Sequence, residues 1–453
     1  MTYGSSLSGK NVHVVGLGLS GVAAAELCLR LGAQVTGVDR RPHAELGEAA
    51  RGLNVPLQSE AEAQGALSDA DLVVVSPGVE SFPGLLAAEA AGVPVIGEIE
   101  LAARLLSAPL CAVGGTNGKS TTTELVAAML AGDGLRVFCG GNLGTPLATA
   151  VGQPWDALVV EVSSFQLERA PSFRPRVSVL LNITDDHLDR HGSFENYAAA
   201  KGNAFANQQP EDTAVAPFGD VQVERQVRRG AGRVRYFGSD GDYVVRDLSV
   251  LERESGEVFT LAGTQLMARH NQHNAAAAIA AARALGAAPQ AIREALAAYR
   301  LLPHRLAWVR TLHGVRFYND SKATNVGAAV AAIESLVEPK LVLIAGGKGK
   351  DGSYEPLVQA LERRGRALIV IGEAGPLIAA AARGRVDVEL AASLDAAVER
   401  AYRKAQPEDA VLLAPACASF DMFRSYADRG ERFVQAVERL ASTEEPGQGG
   451  ARA

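Results

Sequence analysis

Two glycine-rich segments have the composition and spacing of phosphate-binding loops. The first, Gly16-Leu17-Gly18-Leu19-Ser20-Gly21, follows the β-branched run Val12–Val15. Glycines spaced this way let backbone approach a diphosphate, which then rests against a helix N-terminus. Asp39 closes the next apolar run, near the spacing expected of an acid that meets a ribose. The second segment is Gly114-Gly115-Thr116-Asn117-Gly118-Lys119-Ser120. Its amides can cradle phosphates, Lys119 can neutralise β/γ oxygens, and Ser120 can offer a hydroxyl to Mg2+. It departs from the GxxxxGK[ST] pattern, because Val113 occupies the first-glycine position. Read alone, the first loop suits an NAD-binding redox or regulatory protein and leaves the second idle. An ATP-driven enzyme whose substrate is itself a nucleotide diphosphate uses both.

The elements that must position these loops alternate short β-branched runs with alanine/leucine-rich helices. Val12–Val15, Val35–Val38, Leu72–Val75 and Val93–Ile96 read as buried parallel strands, and a second block holds Cys111–Val113, Arg136–Phe138, Leu158–Val162 and Val177–Leu181. A third holds Val315–Tyr318, Leu341–Ile344, Ala367–Ile371 and Ala410–Leu413. The expected fold class is α/β with three domains. A Rossmann-like N-terminal domain spans residues 1–107, a P-loop mononucleotide-binding central domain 108–302, and a Rossmann-like C-terminal domain 303–453. Residues 211–265 read as a strand-rich insertion, and a polar, glycine-rich tail from about 442 reads as disordered.

Composition narrows the function classes. A net charge of −7 gives no global field for nucleic acid or anionic membrane. The stretch Arg225, Arg228, Arg229, Arg233 and Arg235 lacks interleaved aromatic residues and reads as a solvated surface. Cys28, Cys111, Cys139 and Cys417 show no CxxC spacing, which fits a reducing cytosol rather than zinc or disulfides. No apolar run is long enough for a membrane span. The expectation is a cytoplasmic monomer with no nucleic-acid or membrane partner.

At the second loop a resemblance becomes specific. Gly115-Thr116-Asn117-Gly118-Lys119-Ser120-Thr121 resembles the phosphate loop of the Mur ligase family, which folylpolyglutamate synthases share. Further matches are Gly141–Gly144, Glu161–Glu168, Asp186–Arg190, His270–Asn274 and Asn319-Asp320-Ser321-Lys322-Ala323-Thr324-Asn325, so the likeness runs from about residue 8 to about 440. The last segment separates the D-glutamate-adding branch from its relatives. The resemblance implies an ADP-forming ligase that joins D-glutamate to UDP-N-acetylmuramoyl-L-alanine through an acyl phosphate, in peptidoglycan precursor synthesis. It also implies that the first loop holds a UDP-sugar rather than NAD. A Mur-type ligase using another amino acid is the rival within the class.

The same resemblance implies roles for individual residues. By it, Gly115–Thr121, Asn271, Arg305 and Asp320 would hold ATP, although Asn271 reads equally as a helix N-cap. Two Mg2+ ions would take Ser120, Glu161, His187 and a carbamylated Lys201. Asp185, Asp186 and Asp189 are taken as turn residues. Lys119, Glu161, His187, Lys201 and Lys322 would be catalytic. The UDP-sugar would meet Leu19, Ser20, Asp39, Arg40, Gly78, Asn142 and His187. Thr324, Lys350, Ser419 and Tyr426 would face D-glutamate, with Lys348 competing for the place of Lys350 and Tyr426 standing where the family often has Phe. The third domain is expected to close on the others, because no single block carries the whole constellation.

Overall fold

The computed structural model describes residues 7–142, 144–349 and 353–444. Lys350 and the tail from 445 lie outside them. The described residues form three sheets and divide into two compact units. Unit 1 spans residues 1–183, 195–264 and 271–299; unit 2 spans 184–194, 265–270 and 300–453.

Unit 1 begins with β1 (Asn11–Val15), β2 (Gln34–Val38), β3 (Leu57–Gln58), β4 (Leu72–Val75) and β5 (Val95–Gly97). They pair in parallel in the order β3-β2-β1-β4-β5. Val12, Val14, Val15 and Leu72–Val75 are buried, as expected of strands covered on both faces by helices. The order reverses between β1 and β4, and α/β folds bind ligands at such a switch point.

The second sheet of unit 1 contains β6 (Leu110–Gly114), β7 (Val137–Gly141), β8 (Ala157–Glu161), β9 (Val177–Leu180), β10 (Thr213–Pro217), β11 (Arg233–Gly238), β12 (Tyr243–Arg246), β13 (Ser249–Glu252) and β14 (Val258–Thr260). Their order is β14-β13-β12-β11-β10-β9-β6-β8-β7. Residues 211–265 are strand-rich, as expected, and their strands β10–β14 extend this sheet rather than forming an addition to it. β10 pairs in parallel with β9 and continues the sheet, which ends in the antiparallel strands β13 and β14. Sequence could not reveal this because strand order depends on pairing between distant segments. The arginine-rich stretch here is engaged with its neighbours: Arg228 meets Glu224 at 2.7 Å, and Arg235 meets Asp242 and Glu254.

Unit 2 holds β15 (Ala307–Leu312), β16 (Val315–Asn319), β17 (Leu341–Gly346), β18 (Gly365–Ile371), β19 (Val388–Leu390) and β20 (Ala410–Leu413), in the order β15-β16-β20-β17-β18-β19. Only β15 is antiparallel to its neighbour in this sheet. Two buried clusters cover its faces, one around Leu343, Leu361 and Ile378 and one around Phe317, Ile369 and Phe433. Because β16, β20 and β17 are adjacent, the loops following them share one end of the sheet. The closing helix runs Tyr426–Glu444, so regular structure continues past the expected tail boundary at 442. Its apolar stripe docks Phe433 and Val437 in the core, and that packing carries the helix onward.

Candidate functional site

Three groups of residues gather at carboxyl ends of strands. The first surrounds the switch point of the five-stranded sheet. Gly16 follows β1, Asp39 follows β2, and Ser76–Gly78 follow β4. Together with Leu19, Ser20, Arg40 and Arg41 they line a crevice of about 500 Å³. A side chain at Gly21 would place its Cβ 1.8 Å from the Gly16 carbonyl oxygen, so the tight turn requires glycine. The structure thus brings Leu19, Ser20, Asp39, Arg40 and Gly78 to one wall. Asp39, however, is already engaged. It accepts the Leu17 N–H at 2.7 Å and the Arg41 N–H at 3.0 Å, and Arg41 also donates to both of its oxygens from Nε and Nη2. Burial acts against its charge, but the Arg41 side chain and the two backbone N–H groups prevail and hold the carboxyl at about 2. Asp39 therefore sets the loop and aims Arg41, a residue whose type and position alone suit ligand and solvent equally.

The second group surrounds the phosphate loop after β6. Gly118 has φ +86, and a Cβ there would fall 2.3 Å from Asn274 Oδ1. Asn117 donates its N–H to Asn182 Oδ1 (2.9 Å), and Asn182 Nδ2 donates back to the Asn117 carbonyl (3.1 Å). Lys119 begins the helix Lys119–Gly132 and donates to the carbonyls of Gly115 (3.0 Å) and Thr116 (2.8 Å). Ser120 and Thr121 are buried in its first turn. Lys201 is no exposed helix lysine: it is 3% exposed, donates to the Gly115 carbonyl at 2.8 Å and lies 4.4 Å from the Tyr197 ring centroid. Its helix runs Phe194–Gly202.

Glu161 ends β8 and is buried. Asn142, following the neighbouring β7, donates from Nδ2 to Glu161 Oε1 at 2.6 Å, while Oε2 has no hydrogen-bond partner among the described residues. A buried carboxylate oxygen left without a partner is costly unless something completes it. A hard cation beside the Ser120 hydroxyl fits that oxygen-donor set. Next along the chain, Ser163 and Gln166 form a capping box, contributing about 1 kcal/mol to the helix Ser164–Glu168. Asn271 lies within the helix Arg269–Ala284 rather than at its start, which removes the N-cap reading. It is buried and accepts from Asn274 Nδ2 at 3.2 Å, beside the Gly118 turn.

The third group belongs to unit 2. Arg305 sits between His304 and Leu306, both left-handed with φ 63 and 49, a backbone arrangement that needs support from its surroundings. Asp320 accepts the Leu306 N–H at 3.2 Å. Desolvation pushes its carboxyl up to about 7, against the Leu306 N–H and nearby Arg305. Lys322 donates its N–H to the His304 carbonyl and holds its ammonium 3.9 Å from the Tyr426 ring centroid. Thr324 lies two residues on in the same loop. Ser419 is buried, and its carbonyl accepts from Met422 and Phe423. Lys348 is exposed, but its backbone bridges to Ala418 in both directions.

His187 has φ 54 and opens the short helix Leu188–His191. Asp186 is more than a turn residue: it is buried, accepts the His187 N–H at 3.0 Å and lies 3.7 Å from its Nε2. It also accepts from Asn325 Nδ2 at 3.1 Å, while Asn325 Oδ1 caps the helix Val326–Ser335. Asp186 thus ties the histidine turn to the Asn319–Asn325 loop. Sequence reasoning missed this buried carboxylate among the clustered acids of its turn, together with Tyr197, Asn182 and Asn274. Each also meets a group distant in sequence that local spacing could not reveal: Asn325 for Asp186, Thr116 for Tyr197, Asn117 for Asn182 and the Gly118 turn for Asn274.

Comparison with known proteins covers the same three regions. The MurD-like N-terminal domain of Mur ligases matches residues 10–97, the Mur ligase middle domain 113–282, and the Mur ligase glutamate ligase domain 304–417. The chain belongs to the Mur ligase family. The UDP-N-acetylmuramoylalanine--D-glutamate ligase of Geobacter metallireducens is 43% identical, over 97% of this chain and 100% of that protein. The enzyme of the same name from Myxococcus xanthus is 43% identical, over 96% and 99%. Among solved Mur ligase structures, Thermotoga maritima MurC superposes with a TM-score of 0.60 at 21% identity, covering 96% of this chain and all of that one. Thermotoga maritima MurF in complex with ADP gives 0.61 at 20%, covering 97% and 96%. These two likenesses carry the Mur ligase fold across 96% and 97% of the chain.

Proposed function

We propose that the chain joins D-glutamate to UDP-N-acetylmuramoyl-L-alanine at the expense of ATP, releasing ADP and phosphate. The observation that carries this reading is near full-length similarity, at 43% identity, to proteins of that named activity. The structure supports it by giving unit 1 two distinct nucleotide-type cradles, where an NAD-dependent protein would leave the phosphate loop without work.

The chemistry is set by the substrates. A carboxylate oxygen of the alanyl group takes the γ-phosphoryl, the bond to ADP breaks, and an acyl phosphate forms. The amino nitrogen of D-glutamate, having shed a proton, then attacks the acyl carbon. The C–N bond forms, and phosphate leaves with the electrons of the C–O bond. Two anions meet in the first step, so cations must screen them. Lys119 serves that purpose in the phosphate loop, with Gly115–Thr121 and Asn271 around the nucleotide. Ser120 and Glu161 would hold Mg2+, which when bound supplies further screening of the phosphates. Asn142 orients Glu161 through its 2.6 Å hydrogen bond.

Lys201 and Lys119 both point at the Gly115 carbonyl, so an anionic carbamate on Lys201 would sit beside a cation, as charge complementarity requires. His187, oriented by Asp186, is the further metal donor. Leu19, Ser20, Asp39, Arg40 and Gly78 serve the UDP moiety, with Arg41 added. In unit 2, Arg305 and Asp320 serve ATP, whereas Lys322, Thr324, Ser419 and Tyr426 serve D-glutamate. Among the described residues no helix is long and apolar enough to cross a membrane, and we place the reaction in the cytoplasm with the protein acting as a monomer.

The test combines purified protein, Mg-ATP, UDP-N-acetylmuramoyl-L-alanine and a panel of amino acids, with phosphate release as the readout. Release that depends on the nucleotide-sugar and on D-glutamate is expected. Release driven by a basic amino acid instead, or NADH binding without ATP turnover, would refute it.

A further inference from the structure

Arg429 carries a full charge yet is completely buried, in the first turn of the closing helix. Its Nε donates to Ser321 Oγ at 3.0 Å and its Nη2 to the Ser321 carbonyl at 2.9 Å. Its Nη1 donates to the carbonyls of Cys417 (3.2 Å) and Ala418 (3.4 Å). Every acceptor is a hydroxyl or a backbone carbonyl, so no carboxylate among the described residues forms an ion pair with it. Asp421, whose charge reaches it, is engaged with the Glu373 N–H at 3.0 Å. Burial lowers the guanidinium to about 10, which leaves it charged at neutral pH.

The bonds of Arg429 join segments that are far apart in sequence. Ser321 precedes Lys322 and Thr324 in the loop after β16, whereas Cys417 and Ala418 precede Ser419 in the loop after β20. A third loop, after β17, presses on the same group: a Cβ at Gly347 would fall 2.3 Å from the Ala418 carbonyl and 3.2 Å from Arg429 Nη1. The Cys417–Ala418 turn also follows Ala416, held at φ 58. A guanidinium suits this task because its planar fork can serve two loops at once. A buried cation that no carboxylate among the described residues pairs directly also projects its field into its surroundings more strongly than a surface charge does.

We propose that Arg429 is a positioning residue for the amino-acid substrate: it locks the Lys322–Thr324 loop to the Ser419 loop, and its buried charge biases that pocket toward a dicarboxylic amino acid. The assignment rests on the function proposed above. The test measures KM separately for D-glutamate, the nucleotide-sugar and ATP in the full-length enzyme, its R429M and R429K variants and S321A, each with a thermal melt. In R429M, KM for D-glutamate is expected to rise about tenfold or more, as for loss of a charge-assisted hydrogen bond, with the other two constants nearly unchanged. R429K should recover part of the loss, and S321A should shift the same constant in the same direction. An equal rise in all three constants, or a folded R429M with unchanged KM for D-glutamate, overturns the assignment. If R429M does not fold, an unchanged constant in both R429K and S321A overturns it. Wild-type enzyme indifferent to D-glutamate would reject the function itself, a separate outcome from selective failure of the variants.

Discussion

Lys119 and Lys201 donate to the same oxygen, the carbonyl of Gly115, at 3.0 and 2.8 Å. Two ammonium groups thus converge on the turn that must also receive phosphates. The arrangement keeps Lys119 on its loop, and it gives a buried lysine on a separate helix a direct line to the phosphate-binding backbone.

Replacing Lys201 by Ala removes a buried side chain and, if it is carbamylated, a metal-organising anion. Activity is expected to fall about 10²–10³-fold, the scale of losing one preorganised electrostatic group. Short carboxylic acids added to the assay should restore part of it. Full activity in the variant without rescue would remove the carbamate from the reaction.

Asn142 should matter through Glu161. Its Nδ2 is 2.6 Å from one carboxylate oxygen, while the other has no partner among the described residues. Asn142→Ala frees the carboxylate to rotate, and the magnesium concentration for half-maximal activity should rise about 10–100-fold, as for other residues that orient metal ligands. Glu161→Gln keeps a group for Asn142 to meet but lacks the charge, and should show the larger loss. A magnesium titration of both variants checks the order.

Asp39 gives stability with a defined pH window. Its carboxyl is held at about 2 in the folded chain, below the unfolded value of about 3.9. Its contribution is therefore complete above about pH 4 and fades as pH falls toward 2. Asp39→Asn should cost about 1.5–3 kcal/mol at neutral pH, the range for hydrogen bonds to a charged group, with the difference shrinking in acid. Urea melts at several pH values measure this, and KM for the nucleotide-sugar should rise because Arg41 loses its anchor.

Glu98 behaves in the opposite sense. It is buried and accepts the Ala148 N–H, while its second oxygen has no partner among the described residues. Burial raises its carboxyl to about 7, against the Ala148 N–H. A raised carboxyl favours the fold while protonated, so its contribution is complete below about pH 4 and is lost as pH rises through 7. Glu98→Gln should flatten the dependence of melting temperature on pH between about 4 and 7. A variant that keeps the wild-type slope would assign that dependence to another group.

Sequence alone determined the parts of this protein whose physics is local. The glycine spacing of both loops, the alternation of apolar strands with helices and the strand–loop–helix order all lie within short windows. Lys119 and Ser120 could be read from them, whereas Glu161 and the Asn319–Asn325 segment came from the resemblance to the family. Tertiary structure alone decided which distant groups share an acceptor or fill an empty valence. The burial of Lys201 was beyond local spacing because its partner is 86 residues away, and the role of Arg429 was equally out of reach because Ser321 is 108 residues away. Asp39 read as a ligand for ribose until folding placed Leu17 and Arg41 on its carboxylate. Propensity and spacing act over a few residues, whereas burial and hydrogen-bond completion depend on which chain segments the sheets bring side by side.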